Sequence, residues 1–412
     1  MSNIMFFNIP AHGHTNPTIG VVRELVRRGH KVRYYSFCEF RGKIEGAGAE
    51  YVSCEPYMPP EPDDLEDKVG KDFALLIEMV VDTTVNMENM IGGEIESFQP
   101  DCIVSDSICF WGKLFARKYG IPFVCSTTTF AFNQYTAKMM KQGLREMISM
   151  FKGMPRIQEK MKLLNEHGYP VENFVSIVQN DNDTNTIVYT SRKFQPMVET
   201  FSDKYAFVGP SVIEKGVRGF RKKRPQIYIA LGTVLNRNVK FYRKCIEALK
   251  DLEVDVIMSI GLSTEPSELG EIPDSFTVES YVNQMEVLSG TDVFLTHCGM
   301  NSVNESLYYG VPMVLFPQHS EENAVAIRTE ELGAGVRLRR NSAKAIRRAV
   351  IEILKNDHYR KCAQEIGEDF QQCGGAVMAA EFIEKVADDG MMTRLTARVR
   401  DDILNNNSKR KR

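Results

Sequence analysis

Apolar and polar positions alternate along this chain in a strand–helix rhythm. Residues 3–9 (NIMFFNI) are apolar on successive positions, the pattern of a strand buried on both faces. Residues 17–28 then place Ile19, Val21, Val22, Leu25 and Val26 at helical spacing, with Pro17 suited to a first turn and Gly29 to a stop. Residues 31–36 (KVRYYS) return to a strand. A strand–helix–strand unit of this kind predicts parallel pairing with a right-handed crossover.

The rhythm continues with strands over 101–105, 121–126 and 186–190 and a helix over 108–119. Residues 130–170 read as helical and carry Met139, Met140, Met147, Met150, Met154 and Met161. They form either plain core packing or a pliable wall for an apolar ligand. Between 208 and 224 the texture changes to GPSVIEKGVRGFRKKRP, the mark of a linker. A second array follows, with strands over 226–231, 254–260, 293–296 and 312–316. Helices are expected over 241–252, 301–309, 323–332, 343–355 and 358–372. The expected organisation is α/β: a first domain over 1–207, a linker over 208–225, a second domain over 226–388 and a tail over 389–412, its last residues (NNNSKRKR) fraying. With two such domains, a ligand is expected in the cleft between them.

The balance of 51 basic against 54 acidic residues gives a net charge of −3, which disfavours a nucleic-acid partner. No apolar run approaches the ~20 residues of a membrane helix, and MSNIMFFNIP has no basic leader. The 9 cysteines are odd in number and include no C-x-x-C. They fit small buried side chains in a reducing cytoplasm, the expected location.

Three constellations can carry chemistry. His12-Gly13-His14-Thr15-Asn16-Pro17 follows the first strand, where an open parallel sheet presents its ligand crevice. A histidine there suits a base near neutral pH; metal binding and a structural role are the alternatives. Asp106 ends the strand over 101–105 and is either the carboxylate that orients such a base or a helix N-cap. Thr296-His297-Cys298-Gly299-Met300-Asn301-Ser302 joins a strand to a helix, whose N-terminal N–H groups and Ser302 can bind a diphosphate. Glu305, one turn on, can accept from ribose hydroxyls. The P-loop lysine and G-x-G-x-x-G are both missing. Asp181-Asn182-Asp183 is a D-x-D in form, but a polar turn is the better reading than a metal site.

At this point the chain resembles the UDP-dependent glycosyltransferases of the GT-B fold, and most closely the bacterial macrolide glycosyltransferase group. The resemblance rests on IPAHGHTNP and on residues 281–323, YVNQMEVLSGTDVFLTHCGMNSVNESLYYGVPMVLFPQHSEEN. It implies two Rossmann-like domains facing each other across a cleft. It also implies His14 as the base and Asp106 as its supporting acid. His297, Gly299, Asn301, Ser302 and Thr233 would hold the donor diphosphate, Glu305 the ribose, and Val282 with Gln284 the uracil. Glu321 would meet the sugar. Phe110, Trp111, Phe130 and Phe132 are candidates for an acceptor pocket in the first domain, each also readable as core. The implied reaction is inverting transfer of a sugar, with glucose expected, from a UDP-sugar to a small apolar hydroxylated acceptor such as a macrolide or flavonoid. It would proceed without metal or cofactor. Alternatives are a UDP-sugar 2-epimerase, a cell-envelope or lipid glycosyltransferase, and an inactive nucleotide-sugar-binding paralogue. Three positions depart from the family pattern: Tyr281 replaces Trp, Asn283 replaces Pro, and Glu322 replaces the Gln of the sugar-gripping pair. An ionised Glu322 cannot donate a hydrogen bond, which puts the glucose preference in question.

Overall fold

The computed structural model describes residues 1–60, 72–136, 144–169, 171, 174, 177, 182–211, 224–232 and 236–409. They form two compact units, one from Met1–Tyr189, Glu199–Ser211 and Gly374–Arg412, the other from Thr190–Val198 and Val212–Cys373. In the first unit, β1 (Asn3–Phe7), β2 (Lys31–Ser36), β3 (Glu50–Ser53), β4 (Cys102–Asp106), β5 (Phe123–Thr127), β6 (Thr186–Val188) and β7 (Tyr205–Phe207) pair in the order β3-β2-β1-β4-β5-β6-β7. Every pairing is parallel. Ile4 and Phe6 join one apolar cluster with Val21, Val22 and Leu25 of α1 (His12–Arg27). Met5 and Phe7 join the opposite cluster with Ile77 and Val81 of α3 (Phe73–Phe98) and Leu114 and Phe115 of α4 (Phe110–Tyr119). Two covered faces explain why NIMFF is apolar at adjacent positions. Between β2 and β3 runs the short α2 (Arg41–Gly46), and α5 (Leu144–Glu166) lies against α3 with Arg156 Nε donating to Glu78 Oε1 at 2.8 Å.

The second unit orders β10 (Phe276–Glu279), β9 (Asp255–Ser259), β8 (Gln226–Ala230), β11 (Val293–Thr296), β12 (Met313–Leu315) and β13 (Gly335–Arg337), again all parallel. Ile227, Ile229, Val293 and Leu295 pack on α6 (Val239–Leu249) and, later in the chain, on Ile346 and Val350. On the other face Tyr228 stacks on Phe294 at 4.7 Å. The remaining helices are α7 (Gln284–Ser289), α8 (Met300–Tyr308), α9 (Ser320–Glu331), α10 (Ala343–Lys355) and α11 (Asp357–Gln372). In each sheet the strand order reverses once, between β1 and β4 and between β8 and β11. A reversal opens a crevice at the strand C-termini, and ligands of open α/β sheets bind there.

The structure corrects the expected boundaries. The chain leaves the second unit at Cys373, where Gly375 N donates to Val208 O at 2.8 Å, and enters α12 (Gly375–Lys409). Ala379, Ala380, Ile383, Val386 and Ala387 of α12 complete the first unit's core, so residues 374–388 do not belong to the second domain. Residues 389–409, expected as part of a tail whose last residues fray, continue this helix. Conversely, Thr190–Val198 belongs to the second unit: Phe194 is buried edge-on to Phe370 at 5.9 Å, and Arg328 Nε donates to its carbonyl at 3.0 Å. Most of the expected linker, residues 212–223, lies outside the described residues. The helix Phe73–Phe98 is not among those the sequence pattern predicts; Asp72 caps it by accepting from Leu75 N at 3.2 Å. Of the helical stretch expected over 130–170, the described helix covers Leu144–Glu166, and residues 137–143 lie outside the described residues. Met154 and Met161 pack partly buried against the core, and Met139 and Met140 lie outside the described residues.

Candidate functional site

In the first unit, the register Phe7↔Ser105 brings the ends of β1 and β4 side by side. α1 starts at His12, so HGHTNP forms its first two turns instead of the loop before it. This places His14 over the end of β4, with Nδ1 2.7 Å from Asp106 Oδ2. The Asp106 side chain is 0% exposed, and its other oxygen accepts from Ile108 N at 2.9 Å. It is therefore not the N-cap of α4, which is Cys109. A buried carboxylate needs donors for both oxygens, and here the backbone supplies one and the imidazole the other. Facing the carboxylate, Nδ1 carries the proton and Nε2 is left as the basic nitrogen. Thr128 Oγ1 adds a contact to Nδ1 at 3.2 Å. His14 is 17% exposed, enough to meet a substrate while its position is held from behind. His12 takes a different direction, edge-on to Phe40 at 5.0 Å with Lys43 Nζ 3.5 Å from its Nδ1.

In the second unit, β8 and β11 end side by side through the register Thr296↔Ala230. Beyond them lie Gly232, with φ +81°, and His297. A Cβ at Gly232 or at Gly299 would stand 2.6 Å from His297 Nε2, so both glycines are required by the imidazole that lies against them. Gly299 is also the N-cap of α8, with no side-chain cap of its own. The first-turn N–H groups of a helix lack intrahelical acceptors and carry the positive end of the dipole. His297 Nδ1 is buried and has no hydrogen-bond partner among the described residues. Burial pushes the His297 pKa below its ordinary value; Glu322 opposes this and His319 adds to it.

Beside them, Gln284 Nε2 donates to Glu305 Oε2 at 2.5 Å and to Ser302 Oγ at 3.2 Å, while its Oε1 accepts from Tyr228 Oη at 3.2 Å. Burial raises the Glu305 carboxyl to about 7, with the Gln284 hydrogen bond acting against it. Glu322 is at the third position of α9, and its Oε2 accepts from Gln318 N at 2.7 Å and His319 N at 3.1 Å. It closes a capping box, with the His319 side chain accepting in return.

The structure thus gathers His14 with Asp106 in one unit, and Gln284, His297, Gly299, Ser302 and Glu305 with Asn301 at the start of α8 in the other. Val282 is partly buried just before α7, Tyr281 is 76% exposed, and Glu321 is exposed in the first turn of α9. Thr233 and Asp181 lie outside the described residues. Phe110 and Trp111 are buried members of the first unit's core, Phe130 is buried and Phe132 partly so. Sequence reasoning misses Thr128 and Tyr228. Thr128 follows β5, and the register Asp106↔Ser126 carries that strand's end to Asp106, so a polar residue just past a neighbouring strand is the available signal.

The family model described as "Erythromycin biosynthesis protein CIII-like, C-terminal domain" matches residues 243–374. The NDP-glycosyltransferase YjiC of Bacillus licheniformis is 34% identical over 396 residues, covering 93% of this chain and 97% of that one. Demethyllactenocin mycarosyltransferase of Streptomyces fradiae is 31% identical over 404 residues, covering 93% and 86%. Among solved structures, the glycotransferase of kitacinnamycin matches with a TM-score of 0.80 at 25% identity, covering 93% of this chain and 98% of that one.

Proposed function

We propose that this chain, which belongs to the macrolide group of UDP-glycosyltransferases and has their GT-B fold, moves a sugar from a UDP-sugar to a hydroxyl of a small apolar natural product. Glucose is the first donor to test, and macrolides and flavonoids are the first acceptors. The observation that carries the reading is the 2.7 Å contact of His14 with a fully buried Asp106.

The acceptor O–H proton passes to His14 Nε2 as the acceptor oxygen bonds to the anomeric carbon. The bond from that carbon to the diphosphate oxygen breaks, and its electron pair leaves with UDP. Attack opposite an α-linked leaving group yields a β-glycoside, so one displacement inverts the centre. Asp106 stabilises the imidazolium that forms. The charge growing on UDP is met by the first-turn N–H groups of α8 and by His297. Glu305 takes the ribose, Gln284 and Val282 the uracil, and Glu321 the sugar hydroxyls. These donors suffice without a metal, so EDTA should leave the rate unchanged; a strict need for Mn²⁺ would refute this part. Six of the cysteines are buried and none is joined in a disulfide, which fits a cytoplasmic setting.

The test is His14→Ala. Transfer should fall by about 10²–10⁴, the usual worth of a general base, while calorimetry shows UDP-sugar affinity unchanged. An equal loss of donor affinity would recast His14 as a donor-site residue.

A further inference from the structure

We propose that Glu322, which stands where the family pattern has glutamine, is a positioning residue that makes His297 meet the donor diphosphate as an imidazolium, so that donor binding takes up a proton. The proposal rests on the donor-site reading given above. Glu322 is fixed from one side: the N–H groups of Gln318 and His319 hold Oε2 at 2.7 and 3.1 Å. Its second oxygen then lies 4.0 Å from His297 Nε2, and the two side chains are 16% and 15% exposed. The imidazole cannot turn away, because Gly232 and Gly299 close on it with only glycine's clearance. Its Nδ1 is buried, with no hydrogen-bond partner among the described residues. Glu322 and a donor diphosphate would both meet the Nε2 edge of the ring, where a neutral imidazole offers no net charge and the imidazolium offers a full positive one. With Gln at 322 a neutral ring would satisfy the site. With Glu, two anions stand near one edge of the ring, and only the protonated ring offsets both charges.

The charges facing the ring come from three elements. Glu322 and His319 stand at the start of α9, and the positive end of α8 begins at Gly299. Arg337 of β13 acts on the adjacent Cys298. Without donor, burial and His319 outweigh Glu322, so the ring is held below its ordinary pKa. A bound diphosphate adds its charge to that of Glu322 and draws the proton on. Donor affinity should therefore be greatest at low pH and weaken as pH rises, by at most about tenfold per unit for one linked proton. Glu305, raised to about 7, also titrates in this site and must be separated from the effect.

A comparison of the wild-type chain with Glu322→Gln makes that separation. Glutamine still fits a capping box, so the variant retains its fold. Calorimetry at neutral pH in two buffers of different ionisation enthalpy counts the protons taken up as UDP-glucose, UDP-galactose, UDP-N-acetylglucosamine or dTDP-glucose binds. These diesters do not titrate there themselves, and the contribution of Glu305 is common to both proteins. The wild type should take up more than the variant, by about half a proton, and the variant's affinity–pH profile should shift to lower pH. Binding with equal uptake in both, or greater uptake in Glu322→Gln, overturns the proposal. Binding of none of the four donors is a different result, which overturns the donor-site reading and the proposal with it.

Discussion

Glu305 shows how a single side chain can serve the site at the fold's expense. Its carboxyl sits against Gln284 and is raised to about 7 because burial disfavours its charge. A carboxyl raised on folding contributes its stability only while protonated. That stability is present below the unfolded value near 4.5 and is lost as pH rises through about 7. Glu305→Gln should therefore raise the melting temperature at about pH 8, by an equivalent of ~1–2 kcal/mol after allowing for the group's partial exposure, and change little at about pH 4. On the proposed donor site, in which Glu305 takes the ribose, the same variant should bind UDP more weakly, because a carboxylate is the stronger acceptor for hydroxyls. A melt at the higher pH with no gain would mean the carboxyl is not strained by its burial. Asp106 is a buried carboxylate with donors on both oxygens. Asp106→Asn keeps the shape but offers an amide to Nδ1, so transfer should drop by about 10²–10⁴ with donor affinity intact, read by parallel rate and binding measurements.

At the scale of elements, the strand ends place the chemistry, and that much was legible. NIMFF, CIVSD and VFLT are mostly apolar at successive positions because both sheet faces are covered, so their ends, and with them Asp106 and His297, could be located. Helix starts were less legible. Ala11 caps α1 without a side-chain bond, so nothing marks His12 as helical, and Pro17 draws the start too far along. Gly374 and Gly375, both with positive φ, read as a helix stop, and they hide the helix that begins there. The place of Glu322 at the third position of α9 assigns one of its oxygens to the backbone, which spacing from THCG could not reveal. Thr128 and Tyr228 reach their sites through sheet register alone, and register is a tertiary fact. The loop after β8 supplies a test at this scale. Gly232→Ala would force φ +81° on a residue with a Cβ, costing about 1 kcal/mol, and would press that Cβ into His297. Donor affinity should fall by about tenfold in calorimetric titration, as it should for His297→Ala. Full affinity in Gly232→Ala would show that the imidazole's position does not matter to the donor.

At the scale of the whole chain, neither unit is continuous in sequence. The first is finished by its last segment: α12 buries Ala379, Ala380, Ile383, Val386 and Ala387 in the cluster that holds β1 and α1. Polar contacts fix its register there. Glu384 meets Arg28 Nη1 at 2.8 Å and His30 Nε2 at 2.7 Å, and His30 Nδ1 accepts from Ser2 N at 3.1 Å. The apolar term dominates, since burying an Ile and a Val alone contributes ~3–6 kcal/mol, whereas partly exposed ion pairs contribute ~1 kcal/mol or less each. A domain's net stability is only ~5–15 kcal/mol. Ending the chain at Cys373 should therefore unfold or aggregate the first unit even though His14 and Asp106 lie far away in sequence. The second unit keeps all of its own segments in the shortened chain. Its unfolding transition should persist in a calorimetric melt, and nucleotide binding should survive with it while transfer is lost. Glu384→Gln in the full-length chain, by contrast, should shift the first unit's melting only slightly. If the truncated chain melted with two transitions like the full-length protein, α12 would be an accessory, and the first unit's core would have to be sufficient without it.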